Sequence, residues 1–287
     1  MSGKNSVATI GYGYVGKGMR KIFPDALIYD PFYLDSNTKE SINLNCGLAV
    51  ICVPTPPKGM KEQKVNEDEE VFREVDLSYI EDVLSWLNVP HILIKSTVPP
   101  GTTARFDALW QKKFADKSNT AGICMSPEYM GESKYFVPER YPNPTDPRAH
   151  EFVIIGGRDV VADEVIKYFA KEMGPTKTYF KCSSTEAECI KYMENTWGAM
   201  KVTFMNEWFE VCKSVGASFY SVREGWALDN RVEKNHTMVF EDNRGFAGKC
   251  YPKDLLGLIA QAEKNNYEPK LLKEVWESNK RFRKLNK

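Results

Sequence analysis

No stretch limits the fold as much as the one from residue 6 to residue 23. A β-branched run at 6–10 passes through Gly11-Tyr12-Gly13-Tyr14-Val15-Gly16 into an amphipathic segment at 14–23 that Pro24 and Asp25 end. Glycines at these spacings permit a tight turn, close backbone approach to a pyrophosphate, and close packing of helix on strand. A second strand at 26–29 delivers Asp30, 19 residues after Gly11. A carboxylate there accepts hydrogen bonds from the adenosine ribose hydroxyls and repels a 2′-phosphate. A glycine turn alone is common. With strand, helix and acid in place it predicts a βαβ unit that binds NAD, with Gly11, Tyr12, Gly13, Tyr14, Val15, Gly16 and Asp30 as cofactor contacts.

The alternation continues, which is the pattern of a doubly wound α/β sheet of Rossmann type. Strands are expected at 47–53, 91–95, 122–125 and 151–155, with helices at 76–87 and 102–114 between them. A helix at 160–172 and a strand at 176–180 complete this part, and 138–147 is a proline-rich loop. Then the pattern changes. Ser183-Ser184-Thr185-Glu186 offers N-capping groups, and Ile190, Met193, Trp197, Met200 and Phe204 recur at three- and four-residue steps. One long helix is predicted from 185 to about 215, stopped by Gly216, followed by helices at 219–228, 253–264 and 269–283. The expected domains are therefore 1–182, binding NAD, and 183–287, helical.

Lys plus Arg and Asp plus Glu both number 39 in 287 residues, so no field favours a polyanion and nucleic acid is not an expected partner. The longest apolar runs are too short to span a bilayer and no signal-like segment opens the chain, which predicts no membrane association and a cytoplasmic location. Seven cysteines form no CxxC pair and three histidines show no ligand spacing. Reduced thiols and no metal site are expected.

Several segments bear chemistry. Cys52-Val53-Pro54-Thr55-Pro56 and Ser96-Thr97-Val98-Pro99-Pro100-Gly101 follow predicted strands, where open α/β sheets bind ligands. Val53, Pro54, Thr55, Ser96 and Thr97 are thus candidates for the nicotinamide side; the alternative is plain proline turns. Glu128 and Glu132 lie four residues apart past another strand, either as a general base with its neighbour or as solvated loop acids. Lys191 and Asn195 share a helix face and offer a cation and an amide to one oxygen, or else decorate a helix surface. Cys250 sits in the glycine-rich turn of Gly245-Phe246-Ala247-Gly248-Lys249-Cys250-Tyr251-Pro252-Lys253-Asp254. Two lysines and a helix start favour its thiolate; the alternative is a small cysteine buried at a helix entry.

In this order, GYGYVG, Asp30, CVPTP, STVPPGTT, SPEYMGE, FVIIGG, Lys191 with Asn195, Asn206-Glu207, Asp229-Asn230-Arg231 and GFAGKCYPKD resemble the UDP-glucose/GDP-mannose dehydrogenase family, from Val7 to about Arg283. The resemblance implies a nucleotide-sugar 6-dehydrogenase that oxidises a C6 alcohol to a carboxylate with two NAD molecules, UDP-glucose being the default substrate. It implies that Cys250 is the nucleophile, that Lys191 and Asn195 handle the substrate oxygen, and that Asp254 and Thr97 position water and protons. Glu128 would activate water for thioester hydrolysis. Glu132, Arg231 and Lys253 would lie on the substrate side, Arg231 reaching a neighbouring subunit. A homodimer through the long helix is implied as well.

The chain departs from the family in places. It has Ala247 and Lys249 where glycine and serine are common, and Ser133 where glycine follows the second glutamate. Its segment between Asp30 and CVPTP is short, and it resembles a short form without the C-terminal UDP-binding domain. The Tyr-, Pro- and Arg-rich 135–148 loop and Lys249 are then expected to replace some nucleotide contacts. Two competing readings are a hydroxyacid dehydrogenase of the related superfamily, which needs no thiol, and a truncated NAD-binding dimer without activity of its own.

Overall fold

The computed structural model describes residues 6–59, 74–114, 119–131, 143 and 145–286. Within them the chain divides into two compact units, one formed by 1–55 and 76–191, the other by 56–75 and 192–287. The expected boundary at 182/183 differs in two respects. The division falls inside the long helix, and the segment 56–75 leaves the first unit. That segment is closed on itself by a bridge between Pro57 and Val75 and tied to the rest of the second unit by Glu74, which accepts from Lys264 Nζ at 2.8 Å.

The first unit is a seven-stranded sheet of order β2-β1-β3-β4-β5-β6-β7, built from β1 (Ser6–Ile10), β2 (Leu27–Tyr29), β3 (Cys46–Ile51), β4 (His91–Ile94), β5 (Gly122–Met125), β6 (Phe152–Gly156) and β7 (Thr178–Cys182). Helices α1 (Tyr14–Ile22), α2 (Lys39–Asn45), α3 (Ser78–Trp86), α4 (Thr102–Phe114) and α5 (Asp159–Met173) connect the strands. Side chains alternate along each strand, and along β1, β3, β4 and β5 both sheet faces are packed. Ala49, Ile51, Ile92 and Ile94 meet Ile42, Ile80, Phe106 and Trp110 on one face. Leu48, Val50 and Leu93 meet Met19, Ile22, Val161 and Phe169 on the other. Each fully buried aliphatic side chain of this kind contributes about 1.5–3 kcal/mol.

Two features correct the sequence reading. β1 to β5 are parallel, but β6 pairs with β5 antiparallel at Met125 and Gly156, so the sheet is mixed. An antiparallel neighbour needs no crossover helix, and the described part of this connection holds only the 3₁₀ turn Pro147–Ala149. Helix α2 was not anticipated: it is polar, buries only Ile42, and begins where Thr38 Oγ1 accepts from Ser41 N at 3.1 Å.

Helix α6 (Ser184–Ser214) is 31 residues long, about 46 Å at 1.5 Å per residue. It opens with a capping box: Glu186 Oε2 accepts from Ser183 N at 2.7 Å while Ser183 Oγ accepts from Glu186 N at 3.2 Å. The second unit also holds α7 (Phe219–Trp226), whose Phe219 packs with Met205, Cys212 and Val239, and α8 (Tyr251–Lys264) and α9 (Lys270–Arg283), packed around Ala199, Phe246, Leu255, Ile259, Val275 and Trp276. Gly198 lets α6 approach α8, since a Cβ there would lie 2.4 Å from the Tyr251 hydroxyl.

Candidate functional site

In the first unit the chain passes from β1 to the edge strand β2 and returns to β3 on the other side of β1. That reversal of direction opens a crevice beyond the carboxyl ends of β1 and β3, where open α/β sheets bind ligands. Gly11 lies there at φ +89°, and a Cβ on it would meet the Cys52 carbonyl oxygen at 2.9 Å. A Cβ on Gly16 would fall 2.0 Å from the Gly11 oxygen, so α1 can start this close only without one. Gly13 faces open space, as a backbone that cradles a phosphate must. Asp30 closes the loop: Oδ2 accepts from Tyr12 N at 2.6 Å and Oδ1 from Phe32 N at 2.8 Å. A carboxylate has about four acceptor sites, so ribose hydroxyls still find lone pairs.

The two proline-rich turns are cross-linked to each other. Ser96 Oγ donates to the Val53 carbonyl at 2.6 Å and Thr55 Oγ1 to the Thr97 carbonyl at 2.8 Å. Their shape is further held by Glu188, fully buried on α6, whose carboxylate accepts from the backbone N–H of Gly101 at 2.6 Å and of Thr103 at 2.7 Å. A carboxylate on unpaired amides at the start of α4 is favourable electrostatically, although burial pushes the Glu188 carboxyl above the usual range. Glu188 carried no sequence signal beyond being an acid on a helical stretch.

Past β5, Glu128 is not a solvated loop acid. Its side chain is 11% exposed and its Oε1 accepts from Met130 N at 2.7 Å. Lys95, at the end of β4, faces it with Nζ 3.4 Å from Oε2. Lys191 Nζ donates to the Glu128 carbonyl and lies 5.6 Å from the Tyr129 ring. Lys191 is half-buried and Asn195 buried, so this pair is not surface decoration. Glu132 and residues 135–142 and 144 lie outside the described residues. Arg148, at the end of the loop expected to contact a nucleotide, donates instead to the carbonyls of Lys21 and Glu172.

In the second unit, Asn195 Nδ2 donates to Asp254 Oδ2 at 2.5 Å and Lys253 Nζ to Asp254 Oδ1 at 2.5 Å, all three residues being buried. Helix α8 begins at Tyr251, two residues earlier than expected, which makes Cys250 its N-cap residue. Cys250 is exposed, so it is not a buried cysteine at a helix entry. By contrast, Cys52 and Cys124 are held as neutral thiols by burial. The Cys250 turn is anchored from both sides. Asn206 Oδ1 accepts from Arg244 Nε at 2.7 Å and Gly245 N at 3.2 Å, and Asn279 Oδ1 accepts from Phe246 N at 2.7 Å. Lys253 is paired with Asp254, which leaves the helix start and exposed Lys249 as the positive features nearest Cys250 in sequence. Arg231 is 90% exposed and paired with Asp229.

None of the seven cysteines is in a disulfide, no group of metal-ligating side chains occurs among the described residues, and no described helix is long and apolar enough to cross a membrane.

Residues 31–170 match the model of the UDP-glucose/GDP-mannose dehydrogenase family's NAD binding domain, and residues 185–281 that of the family's central domain. The UDP-glucose 6-dehydrogenase of Campylobacter jejuni is 29% identical over 245 residues, covering 85% of this chain and 55% of that protein. That of Rickettsia bellii is 27% identical over 262 residues, covering 91% and 55%. The chain thus spans about half the length of the curated relatives it matches. In fold it is similar to a UDP-glucose dehydrogenase from Pyrobaculum islandicum (TM-score 0.72, 23% identity) and a UDP-D-ManNAc dehydrogenase from Pyrococcus horikoshii (TM-score 0.73, 22% identity). Both alignments cover 96% of this chain and 68% of the other.

Proposed function

The chain belongs to the UDP-glucose/GDP-mannose dehydrogenase family, and from that premise we propose that it is an NAD-dependent nucleotide-sugar 6-dehydrogenase, with UDP-glucose as the default substrate. The observation that carries this reading is the buried Asn195–Asp254–Lys253 cluster, whose acid lies one helical turn after an exposed Cys250. A dehydrogenase that stops at one oxidation needs no thiol there.

The glycine loop, Asp30 and the two cross-linked turns would hold NAD, which supplies a hydride acceptor when bound. Lys191 balances the charge of the substrate alkoxide, and Asn195 donates to the same oxygen. The Asp254 carboxylate keeps the Asn195 amide turned so that its nitrogen, rather than its oxygen, faces the acid. Once the alcohol is an aldehyde, the Cys250 thiolate adds to its carbon and a thiohemiacetal forms on sulfur. Loss of a second hydride leaves a thioester. Glu128 takes a proton from water as the oxygen attacks the thioester carbon, the C–S bond breaks, and the carboxylate leaves while Cys250 is restored. Thr97 sits on the turn fixed by Thr55 and would order water near the substrate. Arg231, Lys253 and Glu132 are assigned to the substrate side with the same standing.

A homodimer through α6 is part of the proposal. Met193, Trp197, Phe204, Trp208 and Val211 are exposed on this helix at steps of three, four and seven, a contiguous apolar stripe of the kind that marks an interface. A cytoplasmic location accords with seven cysteines outside any disulfide.

The test is stoichiometric. Purified protein is given NAD and a panel of UDP- and GDP-sugars, and NADH formed is counted per sugar consumed. Two per sugar, abolished in Cys250→Ser, is the expected result. One per substrate with Cys250→Ser unaffected points to the hydroxyacid dehydrogenase reading, and NAD binding without turnover to a non-enzymatic one.

A further inference from the structure

At the carboxyl edge of the sheet, consecutive strand ends set Lys95 after β4 beside Ser126, Pro127 and Glu128 after β5. Lys95 is 7% exposed. A buried ammonium is retained only where its three protons and its charge are met. Here Nζ donates to the Pro127 carbonyl at 2.7 Å and to Ser126 Oγ at 3.3 Å, and its charge faces Glu128 Oε2 at 3.4 Å. Glu128 is the ion-pair partner that the described residues give Lys95. The two oxygens of Glu128 differ. Oε1 is held by Met130 N, whereas Oε2 is buried without a hydrogen bond among the described residues and meets Lys95 by charge alone. An oxygen left in that state is aimed and still able to accept from a water.

The other groups around the pair do not replace Lys95. The Cys52 thiol, at the end of β3, is held neutral by burial. Burial likewise favours the neutral imidazole of His150, which Lys177 and Asp146 flank. Lys191 reaches the backbone oxygen of Glu128 rather than its carboxylate. A cavity of about 30 Å³ lies against Lys95, Ser126, Glu128 and His150, room for one water.

We propose that Lys95 is the positioning residue of the hydrolytic step: it holds the Ser126–Glu128 turn through the Pro127 carbonyl and fixes the Glu128 carboxylate, so that Glu128 can take the proton of the water that attacks the Cys250 thioester. Lys95 touches neither sugar nor cofactor. The proposal rests on the reading of Glu128 as the water-activating base. It predicts that loss of Lys95 spares both oxidations and slows only release of the product.

The test compares wild type, Lys95→Gln, Lys95→Arg and Glu128→Gln with UDP-glucose and excess NAD, following NADH by stopped flow and the mass of the intact protein after acid quench. Lys95→Gln keeps a donor for the Pro127 carbonyl and removes the charge. The expected result is a full burst of two NADH per site, then turnover slowed by about tenfold or more while an acyl adduct accumulates on Cys250, as in Glu128→Gln. Lys95→Arg, which keeps the charge, restores turnover at least in part. A uniform fall in burst and turnover, or no adduct in Lys95→Gln, overturns the proposal. If wild type makes no NADH from any nucleotide sugar, the functional reading fails, and the placement of Glu128 is then decided by ¹³C NMR. Its carboxylate resonance, assigned by its loss in Glu128→Gln, should move in Lys95→Gln and hold in Lys95→Arg; a resonance unmoved in Lys95→Gln overturns the positioning role. Should Lys95→Gln not fold, as judged by circular dichroism, Lys95→Met repeats the comparison, and failure of every uncharged variant while Lys95→Arg folds normally refutes a role confined to hydrolysis.

Discussion

Each unit buries one lysine against one carboxylate, and the two pairs are built differently. Asp254 has a donor on each oxygen: Lys253 on one and Asn195 on the other, both at 2.5 Å, and its side chain is 2% exposed. Glu128 has one oxygen on a backbone amide and one that meets Lys95 at 3.4 Å, without a hydrogen bond among the described residues. A carboxylate bonded to a donor on each oxygen locks its partners; one with an oxygen left without a hydrogen bond keeps more room to accept from water. We assign chemistry to Glu128 and orientation to Asp254 on this difference in hydrogen bonding rather than on residue type.

The comparison breaks most readily at Asp254. Asp254→Ala leaves a buried lysine unpaired and should cost about 3–5 kcal/mol in urea unfolding; a loss below about 1 kcal/mol would mean that the lock is not one. Glu128→Gln comes next, at about 1–2 kcal/mol, because glutamine still accepts from Met130 N. Its larger consequence is kinetic, with thioester hydrolysis slowed by about 10²-fold or more, read as acyl-enzyme by mass spectrometry. Ser126→Ala removes the longer of the two Lys95 hydrogen bonds and should lower stability by less than about 1 kcal/mol.

The smallest effect is one of pH. Burial holds His150, beside Glu128, and His236, which meets the Tyr251 hydroxyl at 2.9 Å, below the ordinary imidazole range. A folded-state value below the unfolded one gives stability that is complete above about pH 6.5 and is lost as pH falls through the folded value. The melting temperature should therefore drop between pH 7.5 and 5.5, and His150→Gln should drop less than wild type. An equal drop would assign the acid sensitivity to other groups.

Much of the first unit was legible because its strands are β-branched runs ended by glycine and proline, and β1, β5 and α4 begin and end where the pattern puts them. The capping box at Ser183 and Glu186 was equally plain. What escaped depends on partners distant in sequence. Lys95 reads as the last residue of a strand, and only the fold brings it to a turn more than thirty residues later. Glu188 reads as one more helical acid until the amides of Gly101 and Thr103 meet it. The antiparallel step at β6 leaves no periodicity, and the Lys253–Asp254 contact inverts the expectation that Lys253 would act on Cys250. Glu128 was ambiguous between a working carboxylate and a solvated loop acid because burial, which spacing does not reveal, is what excludes the second.

The early segment that joins the second unit has a consequence for how the protein is made. Glu74 is 190 residues ahead of its partner Lys264. At about 5–20 residues per second of synthesis, the piece from 56 to 75 must wait on the order of 10–40 s for that partner. The chain also crosses between its units three times, after Thr55, after Val75 and after Lys191. No single scission yields both units whole, so a protease or a gene fusion can separate them only by damaging one.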